Sequence, residues 1–257
     1  MNKSEISRAV PLRFSALKHF AKSPAHYFHA ITAERTDSRA MRLGRAIHAI
    51  VLGGKYDVFD GADRRTKGWT EFERSAKSDT VLTTPEFFEA RRIAQAVKDD
   101  AGASLALGGM RESLLETSLA GRAVRGTPDA FSLDIGVLAD LKSTQCSDPA
   151  VFSRHAEAML YPNQLAWYRM LIKLVHGVDM RIFRLVAVET QAPYNVTVLN
   201  VPLDAIDEAH ETNMRWFRQL LECEATGVFG GYSGGKVIEM ERRQLALPFP
   251  VGDEDAA

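Results

Sequence analysis

Residues 123–144 read AVRGTPDAFSLDIGVLADLKST, and their pattern decides how the chain folds. Two short apolar runs each carry an aspartate near their end. Asp129 follows Thr127-Pro128, and Asp140-Leu141-Lys142 stands eleven residues later. Residues 124–131 are strand-like, 132–136 supply turn chemistry, and 137–141 form a second strand, so the stretch predicts a hairpin. Alternation along a strand puts Asp140 and Lys142 on one face and sends Leu141 into the core. Two carboxylates and an ammonium on one rim can hold a divalent cation and activate a water beside it.

The bulk properties narrow the class. A chain of 257 residues suits one domain with elaborations, and 46% hydrophobic with 25% charged residues is ordinary for a globular protein. No apolar run reaches membrane-spanning length and the N-terminus lacks a signal-peptide core, so no membrane partner and a cytoplasmic location are expected. Two cysteines, Cys146 and Cys223, are too few for a four-thiolate zinc or iron–sulfur centre. The net charge of −1 does not advertise nucleic-acid binding, yet the first fifty residues hold nine Lys and Arg against three Asp and Glu. A basic N-terminal portion beside an acidic metal centre suits a phosphate polymer. A solvated basic face explains the same charge.

Upstream of the hairpin, residues 13–30 predict a helix starting near Ser15 and interrupted at Ser23-Pro24. Residues 39–52, RAMRLGRAIHAIVL, predict a buried helix on which Gly44 and His48 share a face, four residues apart. Glycine lets another backbone or a metal-site strand approach closely there. Arg39, Arg42 and Arg45 have no acid among them, and read either as phosphate contacts or as exposed helix surface. Residues 53–79 are polar and glycine-punctuated, which predicts a long surface excursion with a short helix near Trp69. Arg64, Arg65 and Lys67 could make it a phosphate-contacting flap around Trp69. Thr83-Thr84-Pro85-Glu86 begins a helix expected to reach about Asp100. Residues 112–119, ESLLETSL, predict the first core strand, beside the Asp129 strand, with Glu116 as its notable acid.

Downstream, residues 148–159 and 161–176 predict helices, the second carrying Gln164 and Tyr168 on one face. Strands follow over 181–189 and 193–201, and a helix over 204–225.

The ordered set of Gly44-x-x-x-His48, Pro128-Asp129 with Asp140-Leu141-Lys142, and Gln164-x-x-x-Tyr168 resembles the PD-(D/E)xK nuclease superfamily, in its RecB-like and RecE-like branches. The resemblance spans roughly residues 13–200. It implies an α/β, restriction-endonuclease-like αβββαβ core: a mixed sheet flanked by helices, with an N-terminal helical elaboration. The expected organisation is a single nuclease domain over 1–226, with its core about 39–201, and a C-terminal tail over 227–257. The implied activity is that of a Mg²⁺- or Mn²⁺-dependent DNA exonuclease, resecting linear duplex 5′→3′ in phage-type recombination or repair inside a bacterial host cell. One or two ions would be held by Asp129, Asp140, His48, the Leu141 carbonyl and Glu116. Lys142 would serve the attacking water, and Gln164 and Tyr168 would contact DNA or orient the metal shell. The implied partners are DNA ends, a single-strand annealing protein and further copies of the chain. Gln244, Leu245, Leu247 and Phe249 resemble the peptide by which bacterial DNA-processing proteins dock on the sliding clamp. They also read as a terminal segment packed on its own domain. Alternatives are a single-strand- or structure-specific endonuclease on the same site, and a non-catalytic DNA-binding scaffold.

Overall fold

The computed structural model describes residues 2–34, 37–233 and 236. Helix α1 (Lys3–Arg8) opens the chain, closed by a reciprocal box between Asn2 and Glu5. Helix α2 (Phe14–Leu17) runs into a 3-10 turn over Lys18–Ala21. Ser15 lies inside α2 and is not its N-cap, because Leu12 is held extended by hydrogen bonds to Ala123 and Arg125. The break at Ser23-Pro24 is as predicted: Ser23 Oγ accepts from His26 N, and Pro24 starts α3 (Pro24–Thr32). Helix α4 (Arg39–Leu52) has the expected bounds, capped by Ser38 and ended at Gly53, whose φ of 84° is left-handed.

Residues 53–79 carry the expected short helix around Trp69, but the excursion is built into a small module of its own. β1 (Asp57–Phe59) and β2 (Val81–Thr83) pair in parallel, and α5 (Lys67–Ser75) connects them. Phe59 meets Trp69 edge-on at 5.6 Å and Phe72 at 5.5 Å, while the Arg64 guanidinium covers the Trp69 ring. Trp69 is 3% exposed, so it anchors a small core and presents no stacking face to a ligand. Three aromatics scattered among polar residues show no helical or strand period, which hides this core from a pattern reading.

Helix α6 (Thr84–Asp99) starts on the predicted Thr83–Glu86 capping box, and α7 (Ala101–Ala106) follows. The strand expected over 112–119 starts later, as β4 (Leu115–Leu119), and pairs with β5 (Arg122–Gly126) in a separate ribbon, whereas β3 (Met110–Arg111), just ahead of it, joins the main sheet. The strand expected over 124–131 divides into β5 and β6 (Ala130–Ser132), with Asp129 at the corner. Pro128 has no amide hydrogen for a ladder, and Glu112 turns the chain at a φ of 43°.

β7 (Val137–Thr144) pairs antiparallel with β6 and parallel with β8 (Ile182–Glu189). The crossover that a parallel pair requires is made by α8 (Pro149–Ala158) and α9 (Tyr161–His176). β9 (Val196–Val201) edges the sheet, whose order is β3-β6-β7-β8-β9, and α10 (Leu203–Thr226) is the last helix among the described residues. Residues 227–230, expected in the tail, pack back instead: Gly230 O accepts from Ala25 N, and Phe229 stacks on Tyr27.

Both faces of the sheet are covered. Ile47 of α4 and Ile93 of α6 pack with Leu141 and Val186, while Leu165 and Leu171 of α9 pack with Leu138 and Phe183. The order α4, β3, β6, β7, α9, β8 is the expected αβββαβ core, an α/β mixed sheet between helices. Among the described residues, no helix is long and apolar enough to cross a membrane.

Candidate active site

The site forms where the β5–β6 corner meets β7, between α4 and α9. Asp129 Oδ2 accepts a hydrogen bond from Leu141 N at 2.7 Å, which pins the corner to the strand. Its other oxygen, Oδ1, lies 3.4 Å from His48 Nδ1. A Cβ on Gly44 would stand 3.3 Å from Ser143 Oγ, so glycine lets α4 run close along β7. His48, one turn further on, then reaches the carboxylate, as the spacing predicted. Asp140 is 1% exposed. Its Oδ2 meets the Lys142 ammonium, and its Oδ1 has no hydrogen-bond partner. Lys142 Nζ donates to Gln164 Oε1 at 3.0 Å, and Gln164 Nε2 donates to Tyr168 OH at 3.0 Å. The Tyr161 ring closes over the same ammonium at 4.6 Å. A continuous row therefore runs His48–Asp129, then Asp140–Lys142–Gln164–Tyr168.

The charges in this row depend on one another. Burial disfavours a charged His48, but the Asp129 carboxylate outweighs it and the imidazole pKa is raised. Burial likewise lifts Asp129, and the His48 charge more than reverses this, so Asp129 is lowered. Asp140 behaves differently. Burial pushes it up to about 6 despite the pull of Lys142, with Asp129 adding like-charge repulsion. Burial also works against the Lys142 ammonium, yet Asp140 and Asp129 together raise its pKa, so it stays protonated.

Two expectations are redirected. Glu116 sits on β4, where Arg125 NH1 pairs with it at 3.3 Å, away from the Asp129–Asp140 row. The acid brought to the site is Glu112, whose amide donates to Asp129 O at 3.1 Å. Its pKa is raised by burial and then by the Asp129 charge. Glu112 and His48 line one open basin of about 300 Å³, together with Arg45, Lys55 and Thr80. Both acids stand in one run at a spacing of four, so alternation puts them on one face and cannot choose between them. The turn at Glu112, ahead of β4, decides.

Arg39, Arg42 and Arg45 do not form a free basic face. Arg39 chelates Glu89 at 2.7–2.8 Å, Arg45 chelates Asp37 at 2.5–2.8 Å, and Arg42 donates to Asp37 O at 2.7 Å. Gln164 and Tyr168 orient Lys142 and also line a second basin of about 210 Å³ on the other side of the row. Gln244, Leu245, Leu247 and Phe249 lie outside the described residues.

The donor set suits a hard divalent cation. Asp129, Asp140, His48 and Glu112 offer carboxylate oxygens and an imidazole, and Asp140 Oδ1 is a buried carboxylate oxygen that no protein donor satisfies. Among the described residues no three such side chains already converge on a point, because His48 and Lys142 balance the two aspartates instead.

Comparison with known proteins places the chain beside a sequence family and beside solved structures. The family described as a PDDEXK-like domain of unknown function (DUF3799) matches residues 13–242. A crystal structure from Eubacterium rectale named "Putative exonuclease" superposes with a TM-score of 0.64 over 92% of each chain, at 14% identity. At that identity the likeness shows the fold alone. No curated protein matches the chain in sequence.

Proposed function

The chain belongs to the family of PDDEXK-like domains of unknown function (DUF3799), and from that premise we propose that it is a divalent-cation-dependent deoxyribonuclease. The observation that carries the reading is the buried row of His48, Asp129, Asp140 and Lys142, with one carboxylate oxygen of Asp140 unsatisfied. Such a cluster costs stability as a structural device, because each buried charge must be compensated. It is coherent as a site for a cation and a phosphate.

Asp129 and Asp140, with His48, Glu112 and the Leu141 carbonyl, would hold one or two Mg²⁺ or Mn²⁺ ions. When bound, the cation supplies positive charge to the phosphate oxygens and acidifies a water. The two aspartates hold the Lys142 ammonium at the site, where it would orient or deprotonate the water and balance charge on the phosphate. Gln164 fixes the ammonium and Tyr168 fixes Gln164. Water would add to phosphorus, losing a proton to Lys142 or solvent, as the bond to the 3′ oxygen breaks; the departing oxygen takes up a proton, leaving a 3′-hydroxyl and a 5′-phosphate.

The resemblance to RecE-like enzymes supports linear duplex ends as substrate and 5′→3′ digestion in phage-type recombination or repair. It also supports a homo-oligomer and an annealing protein as partner, and residues 244–249 would engage the sliding clamp. The name of the Eubacterium rectale neighbour agrees with exonuclease action. The test is end-labelled linear duplex and closed circular DNA incubated with Mg²⁺ and either wild type or Lys142→Ala. Loss of linear DNA alone, abolished in the variant by at least about a hundredfold, supports the exonuclease. Equal cutting of circles moves the reading to an endonuclease. Activity on neither substrate that depends on Lys142 refutes it.

A further inference from the structure

We propose that the second basin, beside Gln164 and Tyr168, is a phosphate-binding subsite whose charge is carried by Lys18. It would hold a phosphate of the same nucleic-acid strand, next to the bond presented to Lys142. The proposal deepens the nuclease reading and rests on it for the identity of the strand, but not for the anion chemistry.

The first observation is what lines the basin. Arg13 and Lys18 contribute cationic side chains, Ser15, Thr127 and Tyr168 contribute hydroxyls, Gln164 an amide, and among the described residues no carboxylate lines it. The other hollows described on this molecule each include an acid: Glu86 and Glu89 beside α4, Glu112 beside His48, and Glu5 and Glu224 beside α1. A hollow whose described lining carries Lys18 and no acid suits an anion.

The second observation is the state of Lys18. It is half-buried, and among the described residues no hydrogen bond or ion pair to its ammonium is found; its backbone amide alone bonds, to Phe14 O and Ala16 O. Its pKa is lowered by burial and then by the positive charge of Lys142, so its strongest charged neighbour repels it. A cation held partly out of water without a counter-charge is costly, and proteins keep one where a ligand completes the pair. Lys18 is also held in place. It follows Phe14 and Leu17, both buried in the main core, and opens a 3-10 turn. A free surface lysine could swing into water; this one is carried on an anchored segment.

The third observation is the connection to the row of charges. Gln164 lines the basin and accepts from Lys142, so a phosphate in the basin sits one side chain away from the catalytic ammonium. A volume of about 210 Å³ holds on the order of seven waters, enough for a tetrahedral phosphate with part of its sugar.

Binding without divalent cation separates this proposal from the nuclease reading, since no cleavage is required. Short oligonucleotides carrying a terminal phosphate or a terminal hydroxyl are titrated against full-length wild type, Lys18→Gln and Lys18→Arg in a chelator. The expected result is about tenfold weaker binding by Lys18→Gln, a salt dependence shallower by about one unit, and recovery of most of the affinity in Lys18→Arg. A loss confined to the phosphorylated oligonucleotide identifies a terminal phosphate as the occupant; equal loss on both identifies an internal phosphodiester. No binding by wild type, or equal affinity and salt slope in Lys18→Gln, overturns the proposal. Should Lys18→Gln fail to fold, inorganic phosphate at constant ionic strength is competed against the oligonucleotide on wild type. Displacement beyond that by chloride supports the subsite, and its absence overturns it. If Lys142→Ala leaves cleavage unchanged while Lys18→Gln still weakens binding, the nuclease mechanism fails and the subsite stands.

Discussion

Glu112 and Glu116 are four residues apart in one short run, yet they have opposite surroundings. Glu116 is paired with Arg125 on the β4–β5 ribbon, whereas Glu112 shares a basin with His48 and feels the Asp129 charge. Removing the charge from Glu112 should therefore weaken cation binding, while the same change at Glu116 touches only an exposed pair worth little. Glu112→Gln is expected to lower Mg²⁺-dependent cleavage and cation affinity by about ten- to a hundredfold. Glu116→Gln should stay within a factor of two or so of wild type. Calorimetric cation titration with parallel rate measurements checks both, and equal losses in the two variants would contradict the assignment. Alternation along a strand could nominate this pair but not separate it. The separation comes from the turn at Glu112, a departure from strand geometry that period-two patterning does not encode.

At the scale of elements, the site depends on how closely β5 approaches α9. A Cβ on Gly126 would fall 2.8 Å from both Tyr168 Cε1 and Leu171 Cδ1, so any side chain there pushes α9 or its tyrosine away. Gly126→Ala should cost about 1–3 kcal/mol of stability. It should also depress activity, because Tyr168 supports Gln164 and Gln164 supports Lys142. Urea denaturation and initial rates measure the two effects; an unchanged midpoint with full activity would show that the packing has slack. α4 and α9 were legible to the residue, since Ser38 and Gly53, and Pro162 and Gly177, mark their ends with local cap chemistry. The module over 53–83 was not legible, because Phe59, Trp69 and Phe72 find each other only after the chain folds back.

Across the whole molecule, one buried polar cluster ties the first described helix to the last. Glu224 on α10 accepts from Ser7 Oγ at 2.6 Å, from Arg8 at 3.1 Å and from Arg122 at 3.1 Å, and Ser7 Oγ also lies 3.0 Å from Tyr27 OH. Arg122 is 4% exposed, so Glu224→Ala strands a buried guanidinium and should cost about 3–5 kcal/mol, read by guanidinium-induced unfolding. A loss below about 1 kcal/mol would mean that water reaches the cluster. By itself the sequence determined the hairpin turn, the aspartates that flank it, the αβββαβ order and the two helices that supply His48 and Gln164. Those features rest on periodicity and caps, which are written within a few turns of chain. Only the tertiary structure decided which glutamate lies beside His48, that Arg39 and Arg45 are spent on Glu89 and Asp37, and that Lys18 faces a basin with no acid in its described lining. A periodic pattern specifies the face on which a side chain lies; its partner is chosen by the long-range closure of segments that the pattern does not describe.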